Sequence, residues 1–251
     1  MSLVTTMTGG GNAIEVKGLA YAFGRKRVLD GLDLAVPAGS TMVLLGANGA
    51  GKTTLLRLLC GLLRPESGSI RVRDLDPTKQ RDRLSERLGF VPDAPDAWPW
   101  MTVVELGGFL AAHHPRWNET LARELRVTMG VPLDRKFRDM SRGEATKAVL
   151  ATTLAHEPEV LLLDEPFGGL DPMSHEEVLE CVVRSLEVGA RTVLVSTHDL
   201  DVAARLGDHV AVLVGGSIGK VTSMDEATAG DAPRREALRG MFTDAVRGGR
   251  S

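Results

Sequence analysis

Residues 46–53 read GANGAGKT and satisfy the spacing G-x-x-x-x-G-K-[ST] in full. Glycine at these points lets successive main-chain N–H groups turn inward around a polyphosphate, and a helix starting behind them adds the partial positive charge of its N-terminus. The spacing assigns Gly46, Asn48, Gly49, Ala50 and Gly51 to that cradle, Lys52 to the β- and γ-phosphates and Thr53 to a magnesium ion, and Thr54 directly behind them is expected to bind the nucleotide as well. The plainer alternative is a glycine-rich turn that only joins strand to helix. Further on, LLLDEP at 161–166 sets two carboxylates at the end of an apolar run. The crevice of an open α/β sheet lies at such strand ends, so Asp164 is expected to hold magnesium through water. Glu165, one residue on, is placed to polarise an attacking water; a solvated strand end with no ligand is the alternative.

These groups need a frame, and the surrounding patterns supply one. TMVLL at 41–45 is a short apolar run of the buried-strand kind, followed at once by the glycine loop and an apolar helix reaching Gly61. VLLLD at 160–164, TVLVST at 192–197 and HVAVLVG at 209–215 are further such runs, separated by helical stretches. That alternation predicts a parallel α/β sheet. Ahead of it, IEVKGLAYAF and VLDGLDLAV alternate apolar and polar residues about a turn at 24–27, which predicts a small antiparallel sheet over 14–36. Between 93 and about 155 the pattern is helical, entered through the proline-rich PDAPDAWPW, and reads as an inserted lobe. Past Gly216 the chain turns mixed and polar and ends in RGGRS, predicting a short appendage with a frayed tail.

Composition narrows the classes. At 251 residues the chain is long enough for one large domain or two small ones. Its 43% hydrophobic and 25% charged residues exclude a disordered, collagen-like or disulfide-dense chain. A formal net charge of -3 supplies no general attraction to a polyanion, so no nucleic-acid partner is expected. No apolar run approaches the roughly 18–20 residues of a spanning helix. The stretch 1–12 is polar and glycine-rich, without the basic-then-apolar order of a secretory signal. Cys60 and Cys181, far apart and without metal-ligand spacing, read as buried thiols in a reducing cytoplasm.

Three further features stand in fixed order around the acidic strand: MSRGE at 140–144 ahead of it, GLDP at 169–172 just after it, and His198 ending the next strand. With the phosphate loop, this order resembles the ATP-binding subunit of an ABC transporter over about residues 14–222. The resemblance implies an α/β fold of the P-loop NTPase type, with a parallel-sheet core, an N-terminal antiparallel β subdomain and an inserted helical lobe. It implies ATP and Mg2+ as ligands. It also implies active sites that form only between two chains, in a homodimer or in a heterodimer with a related ATPase. Ser141 and Gly143 match the Ser and Gly of the family's LSGGQ signature, which contact the γ-phosphate held by the opposite subunit. His198 matches the switch histidine at the γ-phosphate, and Asp171 the D-loop aspartate that couples the two sites. Phe23 matches the aromatic ring stacked on adenine, with Tyr21 nearby as the alternative. Plainer readings stand beside these. Ser141 and Glu144 spell the S-x-x-E capping box, Asp171 suits a helix or turn cap, and Phe23 suits a core.

Departures from the family pattern fall in two places. After the strand that LGFVP resembles, the family usually carries a Gln that ligates magnesium and senses the transmembrane partner; here the residue is Asp93, whose carboxylate still suits a hard cation. In the signature, Arg142 replaces a Gly and Glu144 replaces the Gln. An acid at the first place and a base in the second resemble the ABC-2-type exporter ATPases. Trp98, Trp100 and Trp117 all fall in the helical lobe, although the chain holds only 3 Trp, 1 Tyr and 6 Phe. Either they form a groove for a cytoplasmic helix of a membrane permease, or they pack the lobe's own core.

The resemblance thus implies an ATP-binding and ATP-hydrolysing subunit on the cytoplasmic face of the cell membrane, touching the membrane only through transmembrane permease subunits. It would power transport, with export favoured, through ATP-driven closure of the dimer. Glu165, His198 and Lys52 would carry catalysis, and Thr53, Asp93 and Asp164 the metal. Residues 1–12 are expected to be a flexible N-terminus, 13–222 the ATP-binding domain with its lobe at about 93–155, and 223–251 an appendage and tail. The other classes are a soluble ABC ATPase that moves no solute, such as an iron–sulfur assembly factor, and a nucleotide-binding regulator with little hydrolysis.

Overall fold

The structure, a computed structural model, describes residues 11–95, 97–187, 191–228 and 233–248. In chain order its elements are β1 (Asn12–Phe23), β2 (Lys26–Pro37), β3 (Thr41–Leu45), α1 (Lys52–Leu59), β4 (Ser67–Val72), α2 (Arg81–Ser85) and β5 (Leu88–Val91). Then come α3 (Val103–Ala111), α4 (Glu119–Thr128), α5 (Arg142–Leu154), β6 (Val160–Asp164) and α6 (Pro172–Glu187). The chain ends with β7 (Thr192–Thr197), α7 (Leu200–Leu206), β8 (His209–Val214), β9 (Ser217–Ser223), α8 (Met224–Ala227) and α9 (Arg234–Gly248). The flexible stretch expected at 1–12 falls mostly outside the described residues, and Asn12 already begins β1. Two units divide the chain, Met1–Leu84 with Ala190–Ser251, and Ser85–Gly189.

In the first unit, the alternating patterns at 14–36 form the expected antiparallel pair, and β4 adds a third strand on the other side of β1. Beside it, β3 pairs in parallel with both β7 and β8. Every residue of β3 and β7 is buried, which is why these strands are apolar throughout rather than alternating.

The end of the chain differs from the polar appendage expected past Gly216. Gly215 and Gly216, with φ of 57° and 83°, turn the chain back so that β9 pairs antiparallel with β8. Gly216 is required there for space as well, because a methyl group on it would lie 2.6 Å from the Val28 carbonyl oxygen. Its own carbonyl accepts from Asp30 N at 3.0 Å. After α8, the 15-residue α9 buries Leu238 and Met241, and Arg235 pairs with Asp201 of α7 at 2.9 Å. Of the expected frayed tail RGGRS, Arg247 and Gly248 end α9 and the rest lies outside the described residues.

In the second unit β5 pairs in parallel with β6, in register from Leu88 opposite Val160 to Val91 opposite Leu163. The helices α3, α4 and α5 begin on side-chain caps. Thr102 and Glu105 form a reciprocal capping box on α3, and the Asn118 side chain accepts from Leu121 N at 3.0 Å on α4. The tryptophans differ in burial. Trp117 is half-buried, donates from Nε1 to Glu119 at 3.0 Å, and lies so close to Gly107 that a methyl there would stand 3.4 Å from its ring. Trp98 and Trp100 are 40% and 59% exposed, and Trp98 meets the exposed Phe109 ring edge-on at 5.0 Å.

Cys181 is buried as expected, and burial pushes its thiol up, whereas Cys60 is only half-buried. Among the described residues no helix is long and apolar enough to cross a membrane.

Candidate functional site

The phosphate loop belongs to the first unit. β3 delivers the chain to Gly46, whose N–H donates to Thr197 O of β7 at 3.2 Å and where a methyl would lie 2.9 Å from Leu213 O. The crown of the loop, residues 47–49, is exposed. Gly49 at φ 80° and Gly51 at φ 110° take left-handed conformations that other residues reach only with strain. α1 starts immediately, capped by a glycine that has no side chain to offer its N–H groups, and its first turn holds no acidic residue. Those N–H groups and the helix charge are therefore left for an outside anion. Lys52, 5% exposed, donates from Nζ to Gly46 O at 2.7 Å and Ala47 O at 3.2 Å, so its buried charge is held by loop carbonyls at the mouth of the cradle. Thr53 is half-buried and Thr54 buried.

Phe23 and His198 lie in the same unit. Phe23 ends β1 with its ring 52% exposed and edge-on to Tyr21 at 5.0 Å, so the core reading of Phe23 does not hold. His198 follows β7 on an exposed position, and Asp199 behind it caps α7, accepting from Asp201 N at 2.7 Å.

The acidic strand belongs to the second unit. β6 is buried at all five positions and ends on Asp164, 1% exposed. Glu165 then adopts φ 43°, a left-handed conformation that costs a non-glycine residue on the order of 1 kcal/mol. Its carbonyl accepts from Gly168 N at 2.9 Å, closing a turn that swings the chain toward α6. Asp171 caps α6: one carboxylate oxygen accepts from Met173 N and Ser174 N, both at 3.1 Å, and Pro172 opens the helix where no N–H is needed. The Ser174 side chain first, then these main-chain bonds, hold the Asp171 carboxyl below its usual value.

At the start of α5 the capping box is formed. Ser141 Oγ accepts from Glu144 N at 3.2 Å, and Glu144 Oε2 accepts from Ser141 N at 2.9 Å. Arg135 Nη1 donates to both carboxylate oxygens of Glu144, at 2.8 and 2.9 Å. The Ser141 N–H bond first, then Arg135, keep the Glu144 carboxyl below its ordinary value against the opposing effect of burial. Gly143 is buried against α6, where a methyl would lie 2.8 Å from Ser174 Cβ. Arg142 Nη2 donates to the main-chain carbonyl of Asp93 at 2.8 Å, while the Asp93 residue itself is exposed. Asp93, Ser141, Gly143, Asp164, Glu165 and Asp171 thus fall in one unit, and Phe23, the phosphate loop and His198 in the other. Among the described residues, no cluster of three or more His, Cys, Asp or Glu side chains is arranged to hold a metal ion.

The model of the ABC transporter family matches residues 29–168, more than half of the chain. This chain belongs to the ABC transporter family. The nickel import ATP-binding protein NikO of Rhodobacter capsulatus is 37% identical over 242 residues, spanning 90% of this chain and 94% of NikO. The daunorubicin resistance ATP-binding protein DrrA3 of Streptomyces coeruleorubidus is 38% identical over 234 residues, 87% of this chain and 72% of its own. Among solved structures, cbiO1 of Clostridium perfringens, part of the ABC transporter complex cbiONQ, superposes with a TM-score of 0.75 at 26% identity, covering 96% of this chain and 98% of that one. An ATP-binding subunit of an ABC transporter shares the fold at a TM-score of 0.80 and 24% identity, covering 93% and 99%.

The chain is accordingly an ABC transporter ATP-binding domain with an α/β P-loop NTPase fold, and an ATP-hydrolysing member of that family. Within this ABC protein, two features of the signature helix are not marked in the sequence. The S-x-x-E spacing signals the capping box, but nothing marks Arg135 as the partner of Glu144. The bond from Arg142 to Asp93 goes to a main-chain carbonyl 49 positions away, which leaves no trace in a residue pattern.

Proposed function

We propose that this ABC subunit binds ATP and magnesium, closes as a dimer and drives a separate transmembrane permease. The observation that carries the reading is the phosphate loop, with its uncapped helix start and Lys52 held at its mouth. In this reading Gly46, Asn48, Gly49, Ala50, Gly51 and Thr54 cradle the phosphates, and Lys52 meets the β- and γ-phosphates. The hydroxyl of Thr53 and the carboxylates of Asp164 and Asp93 serve magnesium. A magnesium ion that keeps several waters and shares the substrate's phosphates needs few protein ligands, and the buried strand-end carboxylate of Asp164 with the hydroxyl of Thr53 suits that need. Glu165 activates water, His198 contacts the γ-phosphate, and Phe23 offers its exposed ring to the base. Ser141, Gly143 and Asp171 act across the dimer, Ser141 and Asp171 while also capping their helices.

The direction we propose is export by an ABC-2-type permease. The acid at 93 together with the base at 142 supports it, and DrrA3, named for drug resistance, carries a similar sequence. NikO, named for import, is similar to the same extent, so the residue pair and not overall similarity supports the direction. The exposed Trp98, Trp100 and Phe109 offer an aromatic surface to a cytoplasmic helix of that permease.

The test uses Glu165→Gln, expected to bind ATP and to lose turnover by roughly a hundredfold or more. With ATP and magnesium it is used to capture partners from detergent-solubilised membranes of the native cell. Recovery of a multi-spanning protein supports the reading and identifies the permease. Recovery of only soluble assembly factors overturns the transport role, and near wild-type phosphate release removes Glu165 from its role.

A further inference from the structure

Arg142 stands where the family signature has a glycine, and its guanidinium is placed between two other loops of the same unit. On one side Nη2 donates to Asp93 O at 2.8 Å. On the other, the edge formed by Nη1, Cζ and Nε lies along Gly169: a methyl on that glycine would stand 3.1, 3.4 and 3.8 Å from these atoms. A methyl on Gly168 would stand 3.9 Å from Nη2 and 3.2 Å from the Glu165 carbonyl. Gly169 takes φ 67°, so the glycine pair supplies both the conformation and the space for the guanidinium. Gly168 ends the turn that its N–H closes with Glu165 O at 2.9 Å, and Gly169 follows it.

Glu165 is itself in a left-handed conformation, φ 43°. Such a conformation persists only where the surroundings over-determine it. On one side of Glu165 the buried strand β6 fixes the chain; on the other, buried Pro166 and Phe167 are followed at the exit of the turn by half-buried Gly168 and exposed Gly169, the most permissive backbone there is. Something must limit the motion of that exit if the carboxylate is to hold one direction. Arg142 is the side chain lying over it.

We propose that Arg142 is a positioning residue: its planar guanidinium joins the main chain at Asp93 to the Gly168–Gly169 turn and so fixes the direction in which Glu165 presents its carboxylate. This rests on the reading of Glu165 as the group that activates water. The shape of the guanidinium matters as much as its charge. A lysine carries the charge to one acceptor, but it has no flat edge to lay along a glycine. The grip at 93 is on the main chain, so it does not depend on the aspartate side chain.

The experiment compares full-length wild type, Arg142→Ala, Arg142→Lys and Glu165→Gln by phosphate release over a range of ATP concentrations and by amide hydrogen exchange. Arg142→Ala is expected to lower kcat by about ten- to a hundredfold, the scale of a small misplacement, with KM for ATP little changed. The Gly168 amide is expected to exchange about five- to tenfold faster, the equivalent of one weak hydrogen bond lost. Arg142→Lys is expected to restore neither kcat nor the protection of Gly168. Unchanged kcat in both variants, or unchanged protection of Gly168, overturns the proposal. If Glu165→Gln retains full turnover, the reading of Glu165 fails instead, and the exchange rate of Gly168 still decides whether Arg142 holds the turn.

Discussion

Two helix starts in this molecule are built from different material. α1 opens behind Gly51, with no side chain over its N–H groups and no acidic residue in its first turn. α5 opens behind Ser141, whose hydroxyl already takes the Glu144 N–H, and Glu144 sets a carboxylate of the chain's own at that end, balanced by Arg135. The same helix charge is thus left unused in one place and partly answered in the other. A bare helix start behind a glycine loop can take an anion within one chain. A capped start is stable without one, so its share in nucleotide binding depends on what a second surface brings to it. The comparison assigns different experiments to each region: changes in the phosphate loop should be felt by the isolated chain, and changes in the signature segment by turnover.

The largest effect is expected at Gly51. Alanine there must adopt φ 110° and place its methyl 2.9 Å from Leu29 Cδ2 and 3.3 Å from the Val28 carbonyl. A loss of about 2–3 kcal/mol in denaturant unfolding and the disappearance of ATP binding in titrations are expected. Gly49→Ala sharpens the point. Its φ of 80° brings the backbone strain but the space around it is open, so about 1 kcal/mol is expected.

Gly143→Ala ranks next. Its methyl meets Ser174 Cβ at 2.8 Å, an overpacking cost of about 1–3 kcal/mol that alanine's helix propensity offsets by roughly 1 kcal/mol. ATP affinity of the isolated chain should stay at the wild-type value while phosphate release falls. A loss of affinity as large as at Gly51 would break the comparison.

The smallest effect is a pH dependence confined to α5. Glu144 has its folded carboxyl held below the ordinary 4.5, mainly by the Ser141 N–H. The unfolded chain therefore binds the proton first as acid is added. The stabilisation is complete above the ordinary value and is lost as pH falls from there through the depressed folded value. Glu144→Gln should flatten the acid limb of a pH–melting curve slightly, and leave the curve at neutral pH lower by the lost Arg135 pair, within about 1 kcal/mol.

How legible each part was in the sequence follows from how much of it is forced. β3, β6 and β7 are buried along their whole length, so burial dictates every residue and the runs stand out. The phosphate loop works through its main chain, and the glycines it requires are visible as letters. β9 is an exposed edge with a single buried position, and α9 buries only Leu238 and Met241 of its fifteen residues, so neither imposes a strong pattern. The signature segment is legible in outline only. Ser141 and Glu144 spell their box, but the partners Arg135 and Asp93 are chosen by tertiary approach, and their types alone do not announce it.

The left-handed backbone of Glu165 sets a trap for anyone engineering this protein for heat resistance. Glycine sits more comfortably than glutamate at φ 43°, by an amount on the order of 1 kcal/mol. A library ranked by melting temperature alone would therefore be drawn toward erasing the carboxylate that we propose activates water, and on that reading its most robust survivors would turn over ATP poorly.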